Sequence, residues 1–418
     1  MSAASSSESW IIDACRTPRG IGKVGKGSLA DMHPQRLAST PLKALAERNG
    51  LDTKEVDDVI WGTSTQSGTQ GGDIGRMALL DAGWDITTSG VTLDRFCGSG
   101  ITATNFAAAV TASGMENMVV AGGTEMMSAT PTQSFNPSGA MHRGNLHLDE
   151  LHPQAHQGVC ADAIATLEGI SRQALDELSC ESQRRAEIAI QQGRFDKSLV
   201  AVHDDDGNVL LDREEYPRPT TTMEGLANLK PAFAAWLDAP MGGVEGAATY
   251  RDQIQKRYPG LEIEPVHHAG SSSGVVDGAA ALLLANSGYA QANGLTPRAR
   301  VVAMANMGDD PTLMLNAPVP AAKKAFEKAG LTKDDIDLWE INEAFAVVSE
   351  KFQRDLDLDR SKVNVNGAAI ALGHPIGATG AVLIGTILDE LERSDKQFGL
   401  VTMCAAGGMA PAIIIERI

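Results

Sequence analysis

The chain has 418 residues, 43% of them hydrophobic and 21% charged. That is the balance of a soluble globular protein, so disordered, collagen-like or coiled-coil readings of the whole chain are excluded. At roughly 150 residues per domain, two or three domains with sizeable cores are expected. The net charge of −18 repels nucleic acid and anionic lipid, so neither is an expected partner, and an anionic ligand would need a local basic patch set against the global field.

The first part of the chain alternates strand and helix. SWIIDAC (9–15) reads as a strand, 29–50 as a helix closed by glycine, and DDVIWGT (57–63) as a second strand. A short strand at 91–95 runs into FCGSG. The small-residue segment 100–114 follows as a helix, and NMVVAGGTEMM (117–127) reads as a buried strand ending in a Gly-Gly turn. This alternation predicts an α/β fold with a parallel or mixed sheet. Residues 129–270 differ: charged runs (HDDDGN, DREEYPRP) surround one long helical stretch, SRQALDELSCESQRRAEIAIQQG, so the segment reads as an inserted excursion. Strand character returns at 274–285. From 298 the first pattern recurs: a strand (RARVVAMANM), an amphipathic helix (PAAKKAFEKAG), a strand (IDLWEIN), a helix (EAFAVVSEKFQRDL), a glycine-dense segment leading into another helix, and two closing strands around a glycine turn. Both halves place a glycine-flanked reactive residue before a small-residue helix, which suggests a weak internal duplication.

The five cysteines, Cys15, Cys97, Cys160, Cys180 and Cys404, form no CxxC pair, so neither a disulfide nor a zinc framework is expected. Free thiols in a reducing, cytoplasmic setting and no bound metal are the expectation. No run of about 18 apolar residues predicts a membrane span. MSAASSSESW lacks the basic and apolar regions of a secretory signal, and ERI is not a peroxisomal address.

Four positions could carry chemistry. Cys97, in a strand-to-helix turn, would have backbone N–H groups around its sulfur; a helix N-terminus lowers a thiol pKa and can also stabilise an oxyanion. The plain alternative is a buried structural cysteine. His374, in NGAAIALGHPIGATG, is a natural base for a thiol, against the alternative of a loop-bonding histidine. Cys404, in a second glycine-rich turn, is either a buried thiol or an acid/base for a carbon-bound proton. Asn342, in INEAFA, is either a helix cap or an amide that orients a water or a carbonyl.

Taken together, CGSG (97–100), AGGTEMMS (121–128), NEAFA (342–346), NVNGAAIALGHPIGATG (364–380) and CAAGGM (404–409) resemble the thiolase superfamily, in order and along nearly the whole chain. The resemblance implies two βαβαβαββ halves in a layered α-β-α-β-α core: 1–128 with 271–297, and 298–418, with 129–270 inserted as a loop domain. It implies a thiolase, an acyltransferase of acetyl-CoA and 3-oxoacyl-CoA as in fatty acid β-oxidation. Coenzyme A and acyl-CoA would be its substrates, with no bound cofactor, and it would form a homodimer or homotetramer. Cys97 matches the acyl-accepting nucleophile, His374 its base, Cys404 the α-carbon acid/base, and Asn342 the residue that holds a water in one oxyanion hole. The N–H groups of Cys97 and Ala406 match the other hole; the family usually has glycine at the second position. His156, Lys230 (in LKPAF, where the family has arginine), Ser273 and Phe345 match substrate-side positions, and Val276 stands where the family has asparagine. Residues 238–264 form an extra stretch, and MGDDPTLMLNAPVPA replaces the family's GxGPxP segment. Both departures favour a degradative enzyme with a roomy pocket over a biosynthetic acetoacetyl-CoA thiolase. A ketoacyl synthase would carry two histidines, and a non-catalytic lipid binder would lack one of Cys97, His374 and Cys404.

Overall fold

A computed structural model describes residues 7–130, 145–243 and 245–418. Residues 131–144 of the predicted excursion and Val244 of the extra stretch lie outside that set. The strands are β1 (Ser9–Arg16), β2 (Gly20–Ile21), β3 (Asp58–Gly62), β4 (Ser89–Leu93), β5 (Met118–Met126), β6 (Val202–His203), β7 (Val209–Leu211), β8 (Val276–Asn286), β9 (Ala299–Gly308), β10 (Leu338–Ile341), β11 (Phe398–Thr402) and β12 (Met409–Arg417). The main sheet runs β10-β11-β12-β9-β1-β8-β5-β3-β4, with β2 beside β8, while β6 and β7 pair separately.

Read outward from its middle, this order is the duplication. On one side β1, β8 and β5 are successively antiparallel and β5-β3-β4 are parallel. On the other, β9, β12 and β11 are antiparallel and β11-β10 are parallel. A single parallel bridge from Trp339 to Val363 stands where a counterpart of β4 would lie. The halves join edge to edge through Trp10↔Arg300 and Ile11↔Ala299.

Side-chain alternation along the strands builds the layers. On β8, Ala280, Leu282 and Leu284 pack on the central helices Ser99–Ser113 and Thr379–Arg393, while Ala281, Leu283 and Ala285 pack on the outer helices Pro34–Asn49 and Ile74–Asp81. On β12, Ile413 and Ile415 face the central helices, and Ala412 and Ile414 face the outer helix Pro318–Ala329. The result is the α-β-α-β-α order expected. Each central helix packs against strands of both halves; Thr379–Arg393 is buried along nearly its whole length, whereas Ser99–Ser113 leaves Phe106 exposed. They touch where both carry glycine. A Cβ on Gly380 would lie 2.1 Å from the Ile101 nitrogen, and one on Gly100 2.7 Å from the Ala381 nitrogen.

Three local expectations change. The first helix begins at Pro34, not at 29, because His33 caps it and proline occupies its first turn. Gly122 and Gly123 do not form a turn but lie inside β5. There a Cβ would strike the Trp61 ring at 2.4 Å and the Gly377 carbonyl oxygen at 2.2 Å, so small residues are needed for close approach. The helix predicted from Glu343 begins at Ala346, which frees Asn342 and Glu343 for other work.

The described part of the excursion carries helices Gln157–Leu167, Arg172–Gln191 and Tyr250–Arg257. Buried Glu214 ties it to the first strand by accepting from Arg16 and Arg19, both at 2.7 Å. Among the described residues no helix is long and apolar enough to cross a membrane.

Candidate active site

Cys97 sits in a tight turn between β4 and the first central helix. Asp94 accepts from the Phe96 N–H at 2.6 Å, and Ser99 Oγ accepts from the Arg95 N–H and donates to the Phe96 carbonyl. Phe96 has φ +50°, a costly left-handed conformation for a bulky side chain, held immediately before the cysteine. The Cys97 N–H faces its own sulfur.

His374 follows Gly373, which ends the short helix Ala369–Leu372 with φ +93°. Its backbone N–H donates to the Gly274 carbonyl at 2.9 Å. Nδ1 lies 2.6 Å from Thr379 Oγ1 and Nε2 lies 3.4 Å from Asn342 Nδ2. The Thr379 hydroxyl donates to the Pro375 carbonyl, so it accepts from Nδ1–H. The amide Nδ2 can only donate, so Nε2 carries the lone pair. This is the tautomer a base needs. Asn342 is therefore not a helix cap, and its buried Oδ1 has no protein partner.

Cys404 follows β11 at the start of a turn closed by Ala405 N–H to Met409 O at 2.7 Å and Met409 N–H to Ala405 O at 3.1 Å. Gly407 and Gly408 take positive φ, whereas Ala406 does not, so alanine fits where the family usually has glycine. Neither the Cys97 nor the Ala406 N–H donates to another group among the described residues.

Two observations bring these loops together. Gly100, three residues beyond Cys97, abuts the carbonyl of Gly377, three residues beyond His374. Cys97 and Cys404 are buried, and a charge on Cys404 disfavours ionisation of Cys97. The sequence-based expectation of a lowered Cys97 pKa is corrected here. Burial pushes the Cys97 thiol well above its ordinary value, with Cys404 and Glu125 adding to it, and outweighs the turn's N–H groups. Burial likewise raises Cys404 to about 12 and lowers His374 to about 3. Burial thus favours the neutral thiol at Cys97 and the neutral imidazole at His374.

Two buried carboxylates brace the site: Glu125, which the sequence did not single out, and Glu343, which it placed beside Asn342 at a helix start. Glu125 accepts from the N–H groups of Ser64, Thr65 and Gly377 and from Gln70, tying the loop beyond His374 to the first half. Glu343 accepts from Ser182, Asn364 and the Ile370 N–H. Their signal is a lone acid inside an apolar strand (GGTEMM) and one beside Asn342.

His156 caps the Gln157–Leu167 helix, with Nδ1 accepting from the Gly158 N–H. Its ring meets Trp236 edge-on at 4.4 Å and lies 5.6 Å from Phe233, which in turn meets Phe345 at 5.8 Å. The Ser273 N–H donates to Ala344 O, so Ser273 adjoins the NEAFA segment. Val276 fills the space beside Gly373. Lys230 is exposed. Arg218, which the sequence reading missed, is exposed and lies over the Tyr216 ring, itself against Gly274. A cavity of about 430 Å³ opens beside Glu343 and Ser182. Its arginines already pair with Glu181 and Glu350, so it offers no unpaired positive charge.

The two histidines have a consequence for stability. Burial lowers His156 to about 4 and His374 to about 3, from an ordinary 6.5. The folded state binds fewer protons than the unfolded one below pH 6.5, so stability held above 6.5 is lost as pH falls toward 4. Urea midpoints at pH 7 and pH 5 are expected to drop for the wild type and to drop less for His156→Asn; equal drops would refute the assignment.

Comparison with known proteins gives a consistent result. The thiolase N-terminal domain profile matches residues 9–236, and the thiolase C-terminal domain profile matches 295–417. A 3-ketoacyl-CoA thiolase of Hahella chejuensis is 38% identical over 416 residues, covering 98% of each chain. A beta-ketoadipyl-CoA thiolase of Pseudomonas aeruginosa is 39% identical over 431 residues, covering 99% of this chain and 100% of the relative. The crystal structure of the Bacillus anthracis acetyl-CoA acetyltransferase superposes with a TM-score of 0.83 at 32% identity, covering both chains completely.

Proposed function

The chain belongs to the thiolase family, and from that premise we propose that it cleaves 3-oxoacyl-CoA with coenzyme A, giving acetyl-CoA and a shortened acyl-CoA by way of an acyl group on Cys97. The observation that carries this reading is the fixed His374 tautomer, with Nδ1–H held by Thr379 and the Nε2 lone pair turned toward Asn342.

The steps follow from the groups present. The Cys97 thiol passes its proton to His374 Nε2, and the sulfur attacks C3 of the substrate. The C2–C3 bond breaks, its electrons go to the acetyl-CoA enolate, and Cys404 delivers a proton to C2. Coenzyme A then passes its thiol proton to the Cys404 thiolate, its sulfur attacks the acyl-Cys97 carbonyl, and the Cys97 sulfur leaves and recovers its proton from His374. The enolate and the tetrahedral oxyanions are the costly species. Asn342 with His374 would serve one, through a bound water, and the free N–H groups of Cys97 and Ala406 the other, each donor contributing about 3 kcal/mol.

Coenzyme A, an anion, meets a strongly acidic protein. Arg218 and Lys230, exposed and without an acidic partner among the described residues, supply the local positive charge, and Lys230 keeps the charge of the family's arginine without its planar stacking. His156, Phe233 and Phe345 would line the thioester arm next to Ser273. We favour the degradative direction because the 238–264 stretch is added on the substrate side. With all five cysteines unpaired, the reducing cytoplasm fits. The free edge of β4, where Val91 is 45% exposed, favours a homodimer.

The test is thiolysis of 3-oxoacyl-CoA substrates of increasing length, followed by loss of enolate absorbance. Turnover with kcat/KM rising beyond acetoacetyl-CoA is expected. No turnover at any length would refute the enzyme, and a maximum at acetoacetyl-CoA would refute the degradative assignment.

A further inference from the structure

The two places where this chain departs from its family touch each other. Tyr258 closes the helix Tyr250–Arg257 within the added stretch, its N–H bonding back to Ile254 O at 2.9 Å. Its hydroxyl donates to Asp310 Oδ2, in the altered 307–320 segment. The other oxygen of Asp310 accepts from the Thr312 N–H at 2.8 Å, and its carbonyl accepts from the Met314 N–H at 2.9 Å. Asp310 is thus the knot of a compact loop, in which Met314 is forced to φ +66°.

That loop holds two other pieces of chain. Thr312 Oγ1 donates to Pro153 O at 2.7 Å, and its carbonyl accepts from the Cys160 thiol at 3.3 Å, which fixes the segment carrying His156 on both sides. The Asp309 N–H donates to Gly408 O at 2.6 Å. Gly408 belongs to the turn that begins at Cys404 and presents the Ala406 N–H. A Cβ on Gly408 would lie 2.6 Å from the Asp309 carbonyl oxygen, so loop and turn are in backbone contact. Tyr250, Ile254, Leu313, Met314, Cys404 and Ala406 share one buried cluster, so the connection is packed as well as hydrogen-bonded.

We propose that Tyr258, through Asp310, is a positioning residue for the carbon–carbon step, fixing the turn that aims Cys404 and the Ala406 N–H while leaving the Cys97–His374 pair untouched. The added stretch is then a brace for half of the active site. The Cys97 turn is held independently, by Asp94 and Ser99, and His374 by Thr379, so loosening the brace separates the two thiols' duties. This inference rests on the roles assigned to Cys97 and Cys404 above.

The test compares two rates in the full-length protein: acetylation of the enzyme by acetyl-CoA, which reads Cys97, and deuterium exchange from solvent into C2 of acetyl-CoA, which reads Cys404. Tyr258→Phe removes one hydroxyl and keeps the ring. It is expected to slow exchange by about 10- to 100-fold, the scale of a small misplacement, and to slow acetylation by a clearly smaller factor, since acetylation keeps Cys97, His374 and the Cys97 N–H and loses only the placing of the Ala406 N–H. Asp310→Asn can accept from Thr312 and donate to the Tyr258 oxygen, so it is expected to keep most of the exchange rate. Equal slowing of both rates in Tyr258→Phe, or no change in either, would overturn the proposal, as would Asp310→Asn failing as badly as Tyr258→Phe. Cys404→Ala is run alongside. Loss of exchange there supports the underlying reading; persistence would overturn that reading and this inference with it, a result distinct from any outcome in Tyr258→Phe.

Discussion

Cys97→Ala is expected to lower thiolysis by about 10⁴-fold or more, the scale on which nucleophile removal acts, with a melting temperature close to that of the wild type. The sulfur lies in a turn fixed by Asp94, Ser99 and the left-handed Phe96, and none of those interactions uses the thiol. Burial keeps the group neutral at rest, so no ion pair is lost with it. Incubation with a labelled acyl-CoA should leave the variant unlabelled, whereas the wild type carries the label on the peptide containing Cys97. Stable labelling of the variant at Cys160 or Cys404 would overturn the assignment. The raised thiol pKa also changes how the nucleophile is made. A standing thiolate–imidazolium pair would need both groups charged in a buried setting, which burial opposes, so in the proposed mechanism the proton moves to Nε2 as the sulfur attacks.

Cys404→Ala should divide the reaction. Acyl transfer to and from Cys97 is expected to persist, while carbon–carbon cleavage falls by about 10²- to 10⁴-fold, the usual scale of a positioned proton donor. The reason is spatial. Cys404 comes from the second half of the chain, and the close packing of Gly98 on Pro411 and of Gly100 on Ala381 and Gly377 brings the two halves' loops to one place. Thiol exchange between acyl-CoA and coenzyme A, beside cleavage of acetoacetyl-CoA, measures the two parts separately. Unchanged cleavage in the variant would remove Cys404 from the mechanism.

Much of this was legible from residues alone because the pattern is regular. The strand–helix alternation, the recurrence after residue 298 and the polar excursion follow from periodicity and composition. The candidate site residues stood out because glycine clusters mark places where backbone must pass close to backbone. What periodicity could not distinguish was a glycine pair in a turn from one under an indole ring, as at Gly122 and Gly123. Nor could it locate the helix start at Ala346, since Glu343 and Phe345 are compatible with a helix and are withheld from it by contacts to Ser182, Asn364 and Ser272. Ionisation was misjudged at Cys97 because a helix N-terminus is visible in sequence and burial is not. Tyr258 and Asp310 lie 52 residues apart, and nothing in either segment announces the other.

The decisive measurement is a crystal structure of the acetyl-enzyme with coenzyme A bound. The expected result is an acetyl group on Cys97 Sγ, its oxygen between the Cys97 and Ala406 N–H groups, with the Cys404 sulfur within about 4 Å of the methyl carbon, ordinary contact distance. An acetyl group on another residue, or a Cys404 sulfur out of reach of that carbon, would contradict the two-thiol account.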